Sequence, residues 1–195
     1  MALLRGINVG GNKRVPMAEL RSLATGLGWR KVGTFIQSGN LVFVSSGSSA
    51  ALEAALEAAL ARHFGFSVEV IVRGASAWAG YAAGTPFPDA AAARPHRMLL
   101  GLSKLPPKPD AAERLRAYAK AGERIQVADD AIWIDFADGI GTSKLSPAVL
   151  DRAVGSTVTA RNWTTVQKLA ELLDAPIVAA TAKKPSASKA RVSRR

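Results

Sequence analysis

The order of apolar patterns along the chain restricts its fold more than any other feature of the sequence. Alternating apolar residues predict strands, whereas apolar residues three and four positions apart predict helices. In the first half these patterns occur in the order strand (2–9), helix (16–27), strand (31–37), strand (41–46), helix (48–65) and strand (67–73). A short alanine-rich helix follows at 75–83. This order is typical of the split β-α-β unit.

The same order returns after a proline-rich stretch at 85–95. The second series reads strand (97–102), helix (109–122), strand (124–128), strand (131–136), helix (146–154), short strand (157–160) and final helix (163–173). The sequence therefore predicts an α+β fold with two ferredoxin-like halves that pack together, since neither is large enough for a substantial core alone. The predicted parts are a first half (1–84), a linker (85–96), a second half with its C-terminal helix (97–176) and a basic disordered tail (177–195).

Much of the net charge of +11 lies at the C-terminal end of the chain. Residues 183–195, KKPSASKARVSRR, hold six bases and no acid. Two interpretations stay open for this stretch. It is either a solvated segment without a core, or an electrostatic attachment to nucleic acid or another polyanion.

Several protein classes are disfavoured by what the sequence lacks. It contains no cysteine and only two histidines, so neither a disulfide, a thiolate nor a histidine metal cluster is predicted. No G-x-S-x-G motif marks a nucleophile, and the apolar runs are too short to span a membrane. We expect a cytoplasmic protein without a membrane partner or a metal site. Catalytic residues and cofactors stay unknown, and so does whether the protein is an enzyme.

The acids are scattered along the sequence. Glu53 and Glu57 are predicted on the solvent face of a helix. Asp135 and Asp138 flank the second glycine loop and are the only acids predicted near a site. They suit either a metal held with a phosphate or the solubility of a loop, and the second interpretation is the simpler one.

Glycine-rich polar loops mark one edge of each predicted sheet. In the usual strand order 4-1-3-2, the loop after the first strand shares an edge with the turn between the second and third strands. In the first half this edge gathers GINVGGNKR and QSGN, and in the second half DGIGTSK lies beside TARNW. Glycines let backbone N–H groups converge on a ligand, and helix N-termini and basic side chains favour anions.

The sequence therefore predicts that a phosphate- or carboxylate-bearing small molecule binds in a cleft between the halves. The predicted ligand-binding residues are Asn8, Gly10, Gly11, Asn12, Lys13, Arg14, Gln37, Ser38, Asn40, Gly141, Ser143, Lys144, Arg161, Asn162 and Trp163. If the cleft is real, Arg161 lies within one ligand's width of Lys13 or Arg14, and reversing its charge leaves the empty protein no less stable. Structural alternatives stay open: Asn162 as a helix cap, Trp163 as a packing residue and QSGN as a hairpin turn.

The resemblance to a known family rests on four stretches: LLRGINVGGNKRVPMAELRSL, TFIQSGNLVF, GIGTSKL and TARNWTTVQKLAEL. In these stretches the chain resembles the bacterial family called domain of unknown function 1697, from about Leu3 to Leu173. The resemblance implies a two-part α+β protein of ferredoxin-like topology, and it implies no reaction. Family members usually carry a few more residues before the first strand, so a start other than Met1 stays open. The basic tail after Ala182 is not part of the family pattern.

Two other functions stay open beside anion binding. One is a nucleic-acid-associated protein that binds through the basic tail, and the other is a non-catalytic interaction or scaffold protein. An RNA-recognition sheet stacks bases on aromatic residues of its central strands. Here the first strand has no aromatic residue and the third has only Phe43. Trp133 and Phe136 have odd spacing on one strand and face opposite sides, so no stacking platform is predicted.

Overall fold

The computed structural model describes residues 1–174. Residues 175–195, which include the predicted tail, lie outside the described residues. The described part is a mixed α+β fold with the elements β1 (Ala2–Leu4), α1 (Met17–Gly26), β2 (Arg30–Phe35), β3 (Asn40–Val44), α2 (Ser49–Phe64), β4 (Val70–Val72), α3 (Ala75–Ala83), α4 (Pro88–Ala93), β5 (Met98–Ser103), α5 (Ala111–Arg116), β6 (Arg124–Ala128), β7 (Ala131–Asp135), a 3₁₀ turn (Ile140–Thr142), α6 (Pro147–Val154), β8 (Val158–Asn162) and α7 (Trp163–Asp174).

The strands form two antiparallel sheets of four strands each, in the orders β2-β3-β1-β4 and β6-β7-β5-β8. In the first sheet Leu3 is paired with Asn40 on one side and with Ile71 on the other. In the second sheet Leu100 is paired with both Trp133 and Arg161. The end of β1 therefore lies beside the start of β3, and the end of β8 lies at the same edge as the end of β7. Both sheets therefore have the strand order 4-1-3-2 that is assumed when the loops are assigned to sheet edges from the sequence.

Three apolar clusters hold the layers together, because alternate residues of each strand face opposite sides of its sheet. One cluster lies between the first sheet and the helices α1 and α2, and another lies between the second sheet and α5 and α6. The central cluster joins Leu3 of the first sheet, Leu100 of the second, and Trp78 and Leu169 of helices α3 and α7. The indole of Trp78 is fully buried and donates to the carbonyl oxygen of Val166 at 3.2 Å. The two sheets therefore share one core.

Several elements differ from the predictions in length or position; the strand predicted at 67–73, for example, is confined to Val70–Val72. The first strand ends at Leu4 because Gly6, at a φ of 63°, turns the chain out of the ladder. The helix predicted at 109–122 is confined to Ala111–Arg116. The predicted linker contains helix α4, which has Pro88 in its first turn, a position that suits proline.

Two glutamates of α2 bond the strand β4, which lies at an edge of the first sheet. Glu53 and Glu57 lie one helical turn apart, and their Oε1 atoms accept the N–H groups of Val72 and Val70, both at 2.8 Å. Glu53 is buried, and this burial raises the pKa of its carboxyl. The prediction that these glutamates lie on the solvent face is therefore wrong. The buried face of α2 includes Glu53 as well as Leu56 and Leu60, and the spacing of the leucines does not show that it extends to a glutamate.

Asp135 is a buried ion-pairing residue rather than an acid of a loop site. Its side chain is fully buried and accepts hydrogen bonds from Nε of Arg94 at 2.8 Å and from Nε of Arg124 at 2.9 Å. Arg124 also pairs with Asp89 at 2.7 Å and lies over the ring of Phe87. These contacts attach the segment around α4 to the second sheet.

The ion pairs of Asp135 predict a dependence of stability on acid pH. Burial opposes ionisation of Asp135, but the hydrogen bonds from Arg94 and Arg124 outweigh it and lower the pKa of the carboxyl. A carboxyl with a lowered pKa stabilises the fold above its unfolded pKa of about 3.9, and this contribution is lost as the pH falls through the folded pKa. We expect Asp135→Asn to cost about 2 kcal/mol at pH 7 and to show a weaker loss of stability below about pH 4.

Urea unfolding of the two proteins between pH 2 and pH 7, followed by tryptophan fluorescence, checks this expectation. The matched control is Asp110→Asn, because Asp110 pairs with Arg114 at 2.6 Å on the exposed surface. Parallel stability curves for the wild type and Asp135→Asn would contradict the expectation.

Candidate functional site

The glycine loop after β1 forms a small exposed hairpin. Backbone hydrogen bonds of 3.2 and 3.1 Å close it over residues 8–13. Gly10 and Gly11 have φ values of 60° and 79°, and a type I′ turn requires positive values at both central positions. Val9, at the start of the turn, is 67% exposed. The two glycines therefore serve to build a protruding turn whose backbone is open to solvent.

Asn8 joins the base of this hairpin to the neighbouring QSGN turn. Its Oδ1 accepts the N–H of Val15 at 2.9 Å, and its Nδ2 donates to the carbonyl oxygens of Val15 at 3.0 Å and Gln37 at 2.8 Å. Its φ of 57° is one that asparagine tolerates better than most residues. Arg14 directly precedes Val15, so the amide of Asn8 also fixes the backbone beside that cation.

The QSGN turn between β2 and β3 depends on Asn40 and Gly39. The Nδ2 of Asn40 donates to the last carbonyl of β2 at 2.9 Å and to Oγ of Ser38 at 3.1 Å. Gly39 has a φ of 79°, as a left-handed turn position requires. A Cβ at Gly39 would lie 2.7 Å from Cβ of Leu4 and 2.8 Å from Cδ1 of Ile7. Glycine is therefore required here by conformation and by space.

Arg161 is the penultimate residue of β8, and its side chain extends from the second sheet to this turn. The residue is buried, with 8% of its surface exposed. Its Nε donates to Oδ1 of Asn40, and its Nη2 lies 3.1 Å from the carbonyl oxygens of Leu4, Ser38 and Gly39. One side chain of the second half thus holds the end of β1 and the QSGN turn of the first half together.

The remaining nitrogen of Arg161 bonds within its own strand. Nη1 donates to Oγ1 of Thr159 at 2.9 Å and to the carbonyl oxygen of Ala160 at 2.8 Å. Every hydrogen-bond partner of the guanidinium among the described residues is therefore a neutral oxygen. Burial lowers the pKa of Arg161 to about 10. These contacts favour a structural position for Arg161 beneath the turn, with its nitrogens already occupied.

The two residues after Arg161 also make structural contacts. Oδ1 of Asn162 accepts the N–H of Thr165 at 2.9 Å, which makes it the cap of α7. Trp163 packs against Trp133, with the ring centroids 5.9 Å apart. These contacts agree with the structural alternatives that the sequence leaves open for both residues.

The second glycine loop makes its bonds within the second half. The hydroxyl of Ser143 donates to the carboxylate of Glu123 and accepts the N–H of Leu145 at 3.1 Å. Gly141 and Lys144 are exposed. Within residues 1–174, no hydrogen bond joins this loop to the first hairpin or to the QSGN turn. The predicted binding residues therefore fall into two groups, and only those of the first half and Arg161 are bonded to one another.

Residues 8–14 and 37–40 together form what we call the hairpin edge, and its charges are positive. Lys13 donates to the carbonyl oxygen of Ser67 at 2.8 Å. Arg14 is exposed and makes no side-chain hydrogen bond or ion pair with the rest of residues 1–174. The neighbouring Arg5 pairs with Asp151 of α6 at 2.7 Å, which neutralises that acid.

Four cavities within the described residues lie away from the hairpin edge. One of about 430 Å³ is lined by Tyr81, Asp130 and Trp133, and one of about 200 Å³ lies between Arg114 and Arg152. Within residues 1–174 no group of three or more histidine or acidic side chains is arranged to hold a metal ion. In the same range, no helix has the length and apolar character to cross a membrane.

A family model described as a protein of unknown function (DUF1697) matches residues 1–133. The chain belongs to this family. The match confirms the family that the sequence motifs indicate, but the stretches GIGTSKL and TARNWTTVQKLAEL lie beyond the matched range. The matched range of this DUF1697 protein includes the whole hairpin edge. A solved structure of a conserved bacterial protein from Streptococcus pneumoniae is similar to it, with 26% sequence identity and a TM-score of 0.66. That similarity covers 89% of this chain and 97% of the other. No curated protein matches the chain.

Proposed function

We propose that this protein binds the phosphate or carboxylate group of a small molecule at the hairpin edge. The observation that carries the proposal is the buried guanidinium of Arg161 beneath the QSGN turn, with neutral oxygens as its partners. In this proposal Arg161 positions the turn and supplies charge from below, whereas the ligand contacts Lys13, Arg14 and the exposed backbone of the hairpin.

The electrostatic argument concerns the cost of the buried charge. Charges in a protein interior are screened less than charges in water, so a buried cation acts on the surface above it. The lowered pKa of Arg161 shows that burial disfavours its charged form. An anion bound above the turn offsets this cost, and the exposed cations Lys13 and Arg14 add to the attraction.

The remaining groups of the hairpin edge suit binding. Gly10 and Gly11 leave their backbone N–H groups open to a ligand, and successive backbone N–H groups can bind an anion. Residues 8–14 and 37–40 contain amides, a hydroxyl and cations but no carboxylate or histidine. The edge therefore supplies donors and charge, and it lacks the side chains most often used for proton transfer.

We also propose that each half has ferredoxin-like topology, with the boundary between them at residues 85–96. The strand orders β2-β3-β1-β4 and β6-β7-β5-β8 support this proposal. In that arrangement the hairpin edge belongs to the first half and is completed from below by the second.

Calorimetric titration of the full chain with inorganic phosphate and pyrophosphate tests the anion proposal. We expect both to bind and to raise the melting temperature, since they bind only the folded state. Arg14→Gln should weaken binding about fivefold, because one charge-assisted contact is worth about 1 kcal/mol in this setting. Lys120→Gln, which removes an exposed cation of the second half, is the matched control and should bind as the wild type does.

A chain shortened to residue 182 separates this proposal from binding through the basic tail. If phosphate binding persists in the shortened chain and falls in Arg14→Gln, the hairpin edge is the site. If binding is lost with the tail and Arg14→Gln binds normally, the proposal is wrong and the polyanion alternative takes its place.

A further inference from the structure

An isoleucine lies in a left-handed backbone conformation within the turn that precedes Gln37. Ile36 has a φ of 49°, and 49% of its surface is exposed. β-branched residues seldom adopt this conformation, whereas glycine and asparagine do so at little cost. Strained residues of this kind persist where the surrounding structure holds them, and they cluster at binding and active sites. The question is what an exposed isoleucine does there.

A second apolar side chain is exposed on the adjoining hairpin. Val9 is 67% exposed at the hairpin turn, and the 2.8 Å bond from Asn8 to Gln37 joins the chain neighbours of Val9 and Ile36. Two exposed branched aliphatic residues are therefore next in sequence to the two residues that this hydrogen bond joins. The core beneath them is supplied by Leu4 and Ile7, which are buried, so neither exposed residue is needed to fill it.

Two cations lie in the same hairpin as Val9. Lys13 lies on the opposite strand of the hairpin from Val9, and Arg14 follows it. A ligand on this surface therefore meets positive charge and apolar surface at once. Inorganic phosphate interacts only with the positive charge. An apolar group attached to the phosphate also covers the apolar surface of Val9 and Ile36, and this burial favours binding.

We propose that Val9 and Ile36 form the apolar wall of the anion site, and that its ligand is an organic phosphate with an apolar group next to the phosphate. This inference rests on the proposed anion binding and names the class of ligand. The strain at Ile36 is retained because the wall needs a branched apolar side chain at the rim of the turn.

The test compares phenyl phosphate with inorganic phosphate by calorimetry of the full chain. We expect phenyl phosphate to bind about tenfold more tightly, since its ring buries apolar surface against the wall. Ile36→Asn and Val9→Ser should each lower this ratio toward one and leave the affinity for inorganic phosphate within about twofold. Ile36→Asn should also raise the melting temperature, because asparagine tolerates the left-handed conformation.

Ile140→Asn is the matched control. Ile140 is also an exposed isoleucine, at 51%, but it lies in the 3₁₀ turn of the second glycine loop, and its replacement should not change the ratio. If inorganic phosphate binds and phenyl phosphate is not preferred, the proposal of an apolar wall is wrong, whereas the proposed anion site is supported. If Ile36→Asn and Val9→Ser both keep the preference for phenyl phosphate over inorganic phosphate, the proposal of an apolar wall is also wrong. If neither phosphate binds, the proposed function itself fails.

Discussion

Replacing Arg161 by alanine is expected to lower the free energy of unfolding by about 3–5 kcal/mol, since several buried oxygens each lose a donor. The change removes the Arg161 donor from Oδ1 of Asn40 and from the carbonyl oxygens of Leu4, Ser38 and Gly39, in a buried place where unpaired polar groups are costly. The carbonyl oxygen of Gly39 still accepts the N–H of Leu4 at 2.8 Å. Urea unfolding followed by tryptophan fluorescence measures the loss. This result is the opposite of what the sequence predicts for charge reversal at Arg161, because the sequence does not show that the residue is buried.

Two further variants define what the guanidinium contributes. Arg161→Lys keeps the charge but lacks the planar set of five donors, so we expect it to recover less than half of the loss. Arg97→Ala is the matched control, since Arg97 is exposed and donates to the carbonyl oxygen of Ala137 at 2.9 Å. It should change stability by no more than about 0.5 kcal/mol. A loss below about 1 kcal/mol in Arg161→Ala would contradict the structural part assigned to this residue.

Gly39→Val is expected to cost about 4 kcal/mol, from backbone strain and overpacking together. The φ of 79° is unfavourable for valine, and the new Cβ would meet Cβ of Leu4 at 2.7 Å. That atom is attached to the backbone of a buried strand, so it cannot move aside as the end of a flexible side chain does. From the sequence alone, a positive φ at Gly39 predicts a loss of about 1–3 kcal/mol. The close approach to Leu4 is the reason for the larger value expected here.

The control for Gly39→Val is Gly10→Val. Gly10 has a similar φ of 60°, but a Cβ there has no neighbour within 4 Å. It carries the backbone cost alone, about 1–2 kcal/mol. The same unfolding measurement on both variants separates conformation from space. Equal losses would show that Leu4 and Ile7 yield to the new side chain and that the turn is an ordinary surface turn.

The order of strands and helices is predictable because each element buries a regular pattern of apolar residues. Leu56 and Leu60, one turn apart on α2, are both fully buried, as their spacing indicates. Local rules also hold where a residue acts on its own neighbours, as in the positive φ of Gly39 and the helix cap at Asn162. The C-terminal end of β1 is less predictable, because the positive φ of Gly6 ends the strand although the apolar pattern continues to Val9.

The contacts that build the site are not predictable in this way. Arg161 and Gly39 are 122 positions apart, and no periodic pattern relates them. Charged residues are mostly exposed in proteins, so the burial of Arg161, Asp135 and Glu53 has no signal in the sequence. Ile36 follows an apolar strand pattern, and its left-handed conformation is set by the turn around it and not by its own preference.

The bonds from α2 to β4 have a consequence for how the protein behaves in a crowded solution. An edge strand with free N–H groups is a template to which a strand of another molecule can add, which leads to aggregation or swapped dimers. The N–H groups of Val70 and Val72 point away from β1 and are already bonded by Glu57 and Glu53. An incoming strand must displace both carboxylates, one of them buried, before it can pair. The side chains that attach the helix thus also keep this edge of the sheet from recruiting a second chain.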